Sequence, residues 1–220
     1  MKKFFSEAVR FVGKLVILIV VPFLMLIRGS VFFHEYFRLG PYLSLSLGGL
    51  LTLTVLLIYL TLLYKRVFGQ YNLTYKSILG KAALASLLLF SYVGYTLFYL
   101  SDDHAKTSTV KSEFTSLHPI VRVSVGTLLL VDRSILITDM SRTKEDYKNM
   151  GLKALNNSLH YPQQDGYVHA MDLRTRGRSG FRNFLLKTYF YIAGFHTLRH
   201  VGTEDHLHVS LSIHENPDAI

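Results

Sequence analysis

Residues 39–64 read LGPYLSLSLGGLLTLTVLLIYLTLLY, 26 positions without a charged side chain. About 20 apolar residues suffice to cross a hydrocarbon core as a helix, so this stretch decides the class of the chain. A second uncharged run, Ala82 to Ser101, has 20 residues. A shorter one, Leu15 to Ile27, lengthens to a span if Lys14 snorkels to the interface. No small-residue cleavage site follows Ile27, so it reads as an uncleaved span. Three transmembrane helices are expected at about 11–29, 40–64 and 82–101. The spans carry no Asp or Glu for a proton relay, and the bland reading of this half is an anchor.

Half of the 220 residues are hydrophobic, 18% are charged, and cysteine and tryptophan are absent. Disorder is excluded by the ample apolar surface, and a disulfide scaffold or thiolate metal site by the missing cysteines. The net charge of +9 is unevenly placed. Residues 1–100 hold ten Lys/Arg against two Asp/Glu, whereas 101–220 hold fourteen against thirteen. The excess lies among apolar runs, where it sets topology. Lys2, Lys3, Arg10 and Lys14 precede the first span, and Lys65, Arg66, Lys76 and Lys81 flank the second connection. The positive-inside bias puts both in the cytoplasm and residues 101–220 on the outer face of a cytoplasmic membrane. Basic residues without interleaved aromatics give no nucleic-acid reading.

The polar segment 101–116 reads as a linker. From 117 to 220 the pattern is α+β: a helix opened by His118-Pro119, a strand over Ser134–Thr138, a short helix ended by Gly151, a strand over Tyr167–Leu173, a helix marked by Phe181 to Ile192 with Gly194 behind it, and a strand over His206–Ile213. Gly194 to Gly202, with His196, Arg199 and His200, reads as a strand or turn feeding a site. Arg174, Arg176, Arg178 and Arg182 form either a solvated loop or a contact to anionic wall polymer or lipid headgroups.

Nine of the ten histidines lie in this half. Positions two apart on a strand share a face, so His206, His208 and Ser210 point together. On the earlier strand Asp172 and Ala170 share a face, His169 points away, and His160 lies in the loop before. Two imidazoles and one carboxylate converging would leave a fourth position for water, the ligand set of a catalytic zinc site.

With these residues in view, the outer half resembles the D-alanyl-D-alanine dipeptidase/carboxypeptidase family of zinc peptidases, which share a fold with lysostaphin-type endopeptidases and the hedgehog signalling domain. Ser158, His160, Ala170 and Asp172 match its first motif, His208 its late motif, and Ser141 and Arg142 its upstream turn. The resemblance implies one zinc ion on His160, Asp172 and His208, and Ser141 and Arg142 holding a substrate carboxylate; the alternative for Arg142 is an internal salt bridge, for instance to Asp139 or Asp146. It also implies Asp205 as general base, with Glu204 as its neighbouring rival, and His206 stabilising charge in the transition state. The first histidine and the aspartate are twelve residues apart here and seven in the family, with Tyr161 to Gly166 as an inserted loop; His169 is the rival first ligand. Asp205 stands where the family has glutamate. The expected function is hydrolysis of peptidoglycan peptides by a membrane-anchored zinc peptidase. The alternatives are a non-catalytic metal-containing module that binds cell-wall peptide or a partner protein, and a phosphodiesterase with paired His-x-Ser motifs, for which a second copy is missing. A further membrane protein is a possible partner of the helices.

Overall fold

A computed structural model describes residues 2–151, 153, 157–202 and 205–211. The Lys14 side chain, Glu204 and the chain beyond Leu211, including the expected end of the last strand at Ile213, lie outside the described residues.

Three long helices come first: α1 (Lys2–Phe37), α2 (Pro41–Phe68) and α3 (Tyr75–Phe98). All three are long and apolar enough to cross a membrane, with spans Val16–Phe37, Pro41–Phe68 and Tyr75–Phe98. Helix α1 runs past residue 29, the expected end of the first span, because Arg28 and Glu35 do not stop a helix. It ends only at Arg38, which takes a left-handed φ of 52°, ahead of Gly40 and Pro41. The third starts and ends earlier than 82–101: Lys76 and Lys81 ride on its first turns, and Tyr99 is already extended. Close approach of α1 and α2 is made at Gly48, where a Cβ would sit 2.6 Å from the Leu26 carbonyl oxygen.

Residues 101–116 are not a linker. Asp102–His104 and Glu113–Ser116 are turns of 3₁₀-helix around α4 (Ser108–Ser112), whose Thr107 cap accepts the Val110 N–H. Val110 and Phe114, one helical turn apart, are buried, and the Lys106 N–H donates to the Ile137 carbonyl at 2.9 Å. The spacing of those two apolar residues, more than the polar composition around them, decides the outcome.

The remainder is α5 (Pro119–Val131), β1 (Ile137–Asp139), α6 (Lys144–Asn149), β2 (Ala170–Arg174), α7 (Gly180–Ala193), β3 (His196–His200) and β4 (His206–Ser210). The strands form one antiparallel sheet in the order β1-β2-β4-β3. The fold is α+β, as expected. Its first strand lies three residues later than expected, where Ile137 pairs with Leu173. Met171, Leu173, Leu207 and Val209 make one face of the sheet, each at most 1% exposed.

That face is continuous with the membrane half. Leu26, Ile27, Val31, Leu45 and Leu97 belong to one buried cluster with Val121, Phe190, Leu207 and Val209. The bridging element is α5. A Cβ at Gly126 would lie 2.8 Å from Thr96 Cβ, Arg122 Nη1 donates to the Leu97 carbonyl at 2.9 Å, and Tyr92 hydrogen-bonds Thr127. The expected division into anchor, linker and separate domain gives way to a shared core.

Candidate metal centre

The second face of the sheet carries polar side chains. Asp172 pairs with His208, and Arg174 with His206, across β2 and β4; His206 in turn pairs with His200 on β3. Asp172, His208, His206 and His200 therefore share this face by strand alternation.

His160 reaches it from the loop before β2. Ser158 Oγ accepts the His160 N–H at 3.3 Å and meets Tyr147 Oη at 2.6 Å, and the His160 carbonyl accepts the Arg142 N–H at 2.9 Å. Tyr161 to Gly166 folds back on itself: Gly166 N–H donates to Gln163 O and Gln163 N–H to Tyr167 O, each at 2.8 Å. The inserted loop thus returns the chain to β2, which is how twelve residues still bring His160 beside Asp172.

The ligand-type atoms of His160, Asp172 and His208 all lie within 4.8 Å of one another. His160 Nε2 is 3.3 Å from His208 Nδ1 and 3.5 Å from Asp172 Oδ1, and His208 Nδ1 is 2.9 Å from that oxygen. Ligand atoms at about 2.0–2.2 Å from a tetrahedral zinc are separated by about 3.3 Å, so the three edges fit such an ion. The tautomer also fits. His160 Nδ1 lies 2.6 Å from the Met140 carbonyl, which as an acceptor fixes the N–H on Nδ1 and leaves the Nε2 lone pair of the neutral ring for a metal. The His160 and Asp172 side chains are 4% and 3% exposed and that of His208 is 23%, so the group is closed below and open on one side.

Arg142 supports the carboxylate. Its Nη2 lies 2.5 Å from Asp172 Oδ2 and its Nε 2.7 Å from Asp139 Oδ2. Burial pushes the Asp172 carboxyl up, but hydrogen bonds from His160 and His208 and the charges of His160 and Arg142 outweigh it and hold it well below the usual carboxylate range. Arg142 is thus engaged within the protein rather than presented as a free clamp. The Ser141 N–H donates to Glu113 Oε2 at 3.3 Å.

Asp205 is held by two neighbouring side chains. Its carboxylate accepts Arg199 Nε at 3.1 Å, Arg199 Nη2 at 2.8 Å and the Thr175 hydroxyl at 2.5 Å. Arg199 pairs with Leu207, on the apolar face of the sheet. Asp205 is one residue from His206 and three from His208, an odd offset that turns it away from both on a strand. The Arg199 and Thr175 hydrogen bonds lower it to about 2, which also makes it a poor base. His206, by contrast, lies on the metal-ligand face, with Nε2 3.7 Å from Asp172 Oδ2 and its ring stacked on His200 at 4.8 Å.

His169 does point away, as alternation required, and joins a second group that the sequence did not reveal. His34 of α1, His118 and His169 bring ligand-type atoms within 4.8 Å of one another, with ring centroids 4.7, 4.8 and 5.8 Å apart. His169 Nε2 lies 3.0 Å from Asp165 Oδ2, and His118 Nε2 lies 3.4 Å from it. His118 is also the cap of α5, its Nδ1 accepting the Ile120 N–H at 3.3 Å. Burial, then the neighbouring His169, His34 and Arg122, keeps its pKa well below the ordinary histidine value. Three residues from separate parts of the chain have no spacing to recognise. The only legible hint was His34, the lone histidine of the first half.

No family model, no curated protein and no solved structure matches the chain.

Proposed function

We propose that the protein is a membrane-anchored metal-dependent hydrolase of zinc-peptidase type, acting on amide bonds of peptidoglycan peptides outside the cytoplasmic membrane. The observation that carries this reading is the open-sided His160, Asp172 and His208 group, with separations suited to one divalent ion. A zinc ion there would supply Lewis-acid polarisation of a carbonyl and a water acidified to about pKa 7. His160 and His208 hold, Asp172 holds and neutralises, and Arg142 fixes Asp172. With Asp205 on the other face, His206 takes the part of proton carrier, moving a proton between water and the leaving amine through Nε2. The substrate class rests on the resemblance of the motifs and on the charge bias around the spans.

The test is hydrolysis of D-alanine-terminated peptides by the full-length protein in detergent, before and after chelation and zinc return. Chelator-sensitive cleavage that His206→Ala abolishes without loss of metal is expected. Stoichiometric metal with no turnover on any wall peptide would overturn the catalytic reading. It would favour a non-catalytic metal-containing module that binds cell-wall peptide or a partner protein, a reading that the absence of Asp205 from the metal-ligand face supports.

A further inference from the structure

Helix α7 is apolar on two sides. Asn183, Leu186, Phe190 and Ala193 face the core. Turned from them, Phe181, Phe184, Leu185, Tyr191 and Ile192 are 69%, 63%, 48%, 73% and 51% exposed. At 3.6 residues per turn these five fall within about a third of the circumference. Exposed Arg182 and Lys187 flank that arc. A helix with a second apolar face needs a second apolar neighbour, and a cation-flanked arc is the pattern of a helix lying in a membrane interface.

Its position supplies that neighbour. The C-terminal end of α7 lies at α1: Gly194 lies against Arg28 and Val31, and Phe190, Ala193 and Phe195 share the cluster with Leu26, Ile27 and Val31. These α1 residues are inside the span Val16–Phe37. The other end of α7 opens onto a hollow near the end of α3. There a concavity of about 510 Å³ is lined by Arg133, Arg174, Arg176, Arg178 and Arg182. Arg133 also lines an adjoining cleft with Tyr95 and Tyr99, at the end of α3. Arg178 is braced by Asp132 at 2.7 Å and Ser134 at 2.6 Å, its side chain is 7% exposed, and its Nε has no hydrogen-bond partner. Five guanidinium groups around one hollow, which Asp103 also lines and the Arg178-bound Asp132 borders, suit a tetrahedral phosphate, each planar fork being able to reach two of its oxygens.

We infer that α7 is an interfacial helix: its Phe181–Ile192 arc lies in the lipid leaflet, and the arginine hollow at its start holds the phosphate of an anionic phospholipid. The proposal does not depend on the hydrolase reading or on which side of the membrane the sheet occupies. It assigns the arginine run of the sequence to lipid headgroups.

The cysteine-free chain allows a direct test. Full-length Phe184→Cys, Ile192→Cys and, on α6, Glu145→Cys are each spin-labelled and reconstituted in phosphatidylcholine vesicles with or without phosphatidylglycerol. Labels at 184 and 192 should favour oxygen over a water-soluble nickel chelate, and the label at 145 the reverse. Equal nickel access at all three positions overturns the insertion of α7. The hollow is tested by binding of labelled phosphatidylglycerol. One basic side chain at an anionic surface contributes about fivefold, so Arg174→Gln with Arg182→Gln should weaken binding about 25-fold. Unchanged binding overturns the headgroup site. Equal displacement of the lipid by inorganic phosphate at matched concentration also overturns it, since the hollow would then be a free-anion site.

Discussion

Arg142 and Asp172 form the tightest ion pair of the metal-ligand face: Nη2 stands 2.5 Å from Oδ2, while Oδ1 of the same carboxylate faces His208 Nδ1 at 2.9 Å. One oxygen is tied to a fixed cation and the other is left for a metal. Removing the guanidinium strands a carboxylate that is 2% exposed, at a cost of about 3–5 kcal/mol. Arg142→Ala should therefore unfold at markedly lower temperature. Arg142→Lys cannot bridge Asp139 and Asp172 with one ammonium, and metal affinity should fall about 10- to 100-fold in a chelator competition. Intact metal affinity with loss confined to free-acid peptides would instead restore the substrate clamp.

Metal content separates the two histidine groups. His160→Ala and His208→Ala should each lose the ion held with Asp172, measured as metal per chain and by the absorption of a cobalt-loaded sample. His169→Ala should leave that cobalt spectrum unchanged, because His169 belongs with His34 and His118.

Asp205→Asn should leave metal binding intact and act through stability alone. The carboxyl is lowered to about 2 by Arg199 and Thr175. Its contribution is fully present above the ordinary carboxylate value near 4 and is lost as pH falls toward 2. Acid titration of the wild-type and variant proteins should converge at the low end of that window. A variant that keeps its fold and metal but loses turnover would return Asp205 to catalysis.

The His118 imidazole sets a separate window. It is buried and held neutral, with His34, His169, Asp165 and Arg122 around it. Its folded pKa lies below the unfolded value near 6.5, so its stability contribution is complete above 6.5. That contribution is lost as pH falls below it, because the unfolded chain binds a proton that the folded one resists. His118→Asn keeps a capping side chain and removes the titration. Thermal unfolding in detergent between pH 7 and 5 should be flatter for the variant.

Gly126→Val should cost about 1–3 kcal/mol, since its Cβ has no room beside Thr96 at 2.8 Å. Gly94→Ala, with nothing within 4 Å, is the matched control and should not lower the unfolding temperature.

Much of this architecture was legible. Runs of uncharged residues announced the three spans, Pro119 and Gly194 bracketed two helices, and alternation sorted His169 from Asp172. What failed were inferences that needed a partner. Arg142 reads either as a carboxylate clamp or as an internal salt bridge to Asp139 or Asp146, and only the fold adds Asp172 beside it. Asp205 is placed by its motif interval to His208, and only the fold shows that Arg199 and Thr175 hold its carboxylate. Segment 101–116 looks like a tether because Val110 and Phe114 are only two residues, yet they sit on one side of a turn. The contact of His34 with His118 and His169 joins parts of the chain that share no local pattern.

The cluster running from Leu26 to Leu207 also bears on biogenesis. Helix α1 is synthesised before β4 and supplies packing surface to its core face, so the sheet cannot finish that core until α1 is in place. Cleavage near residue 100 would yield no free-standing domain, only a fragment with the side chains of α5 torn from Thr96 and Leu97. Insertion and maturation are thereby made one event, and whatever chemistry the histidines perform is confined to molecules already at the membrane.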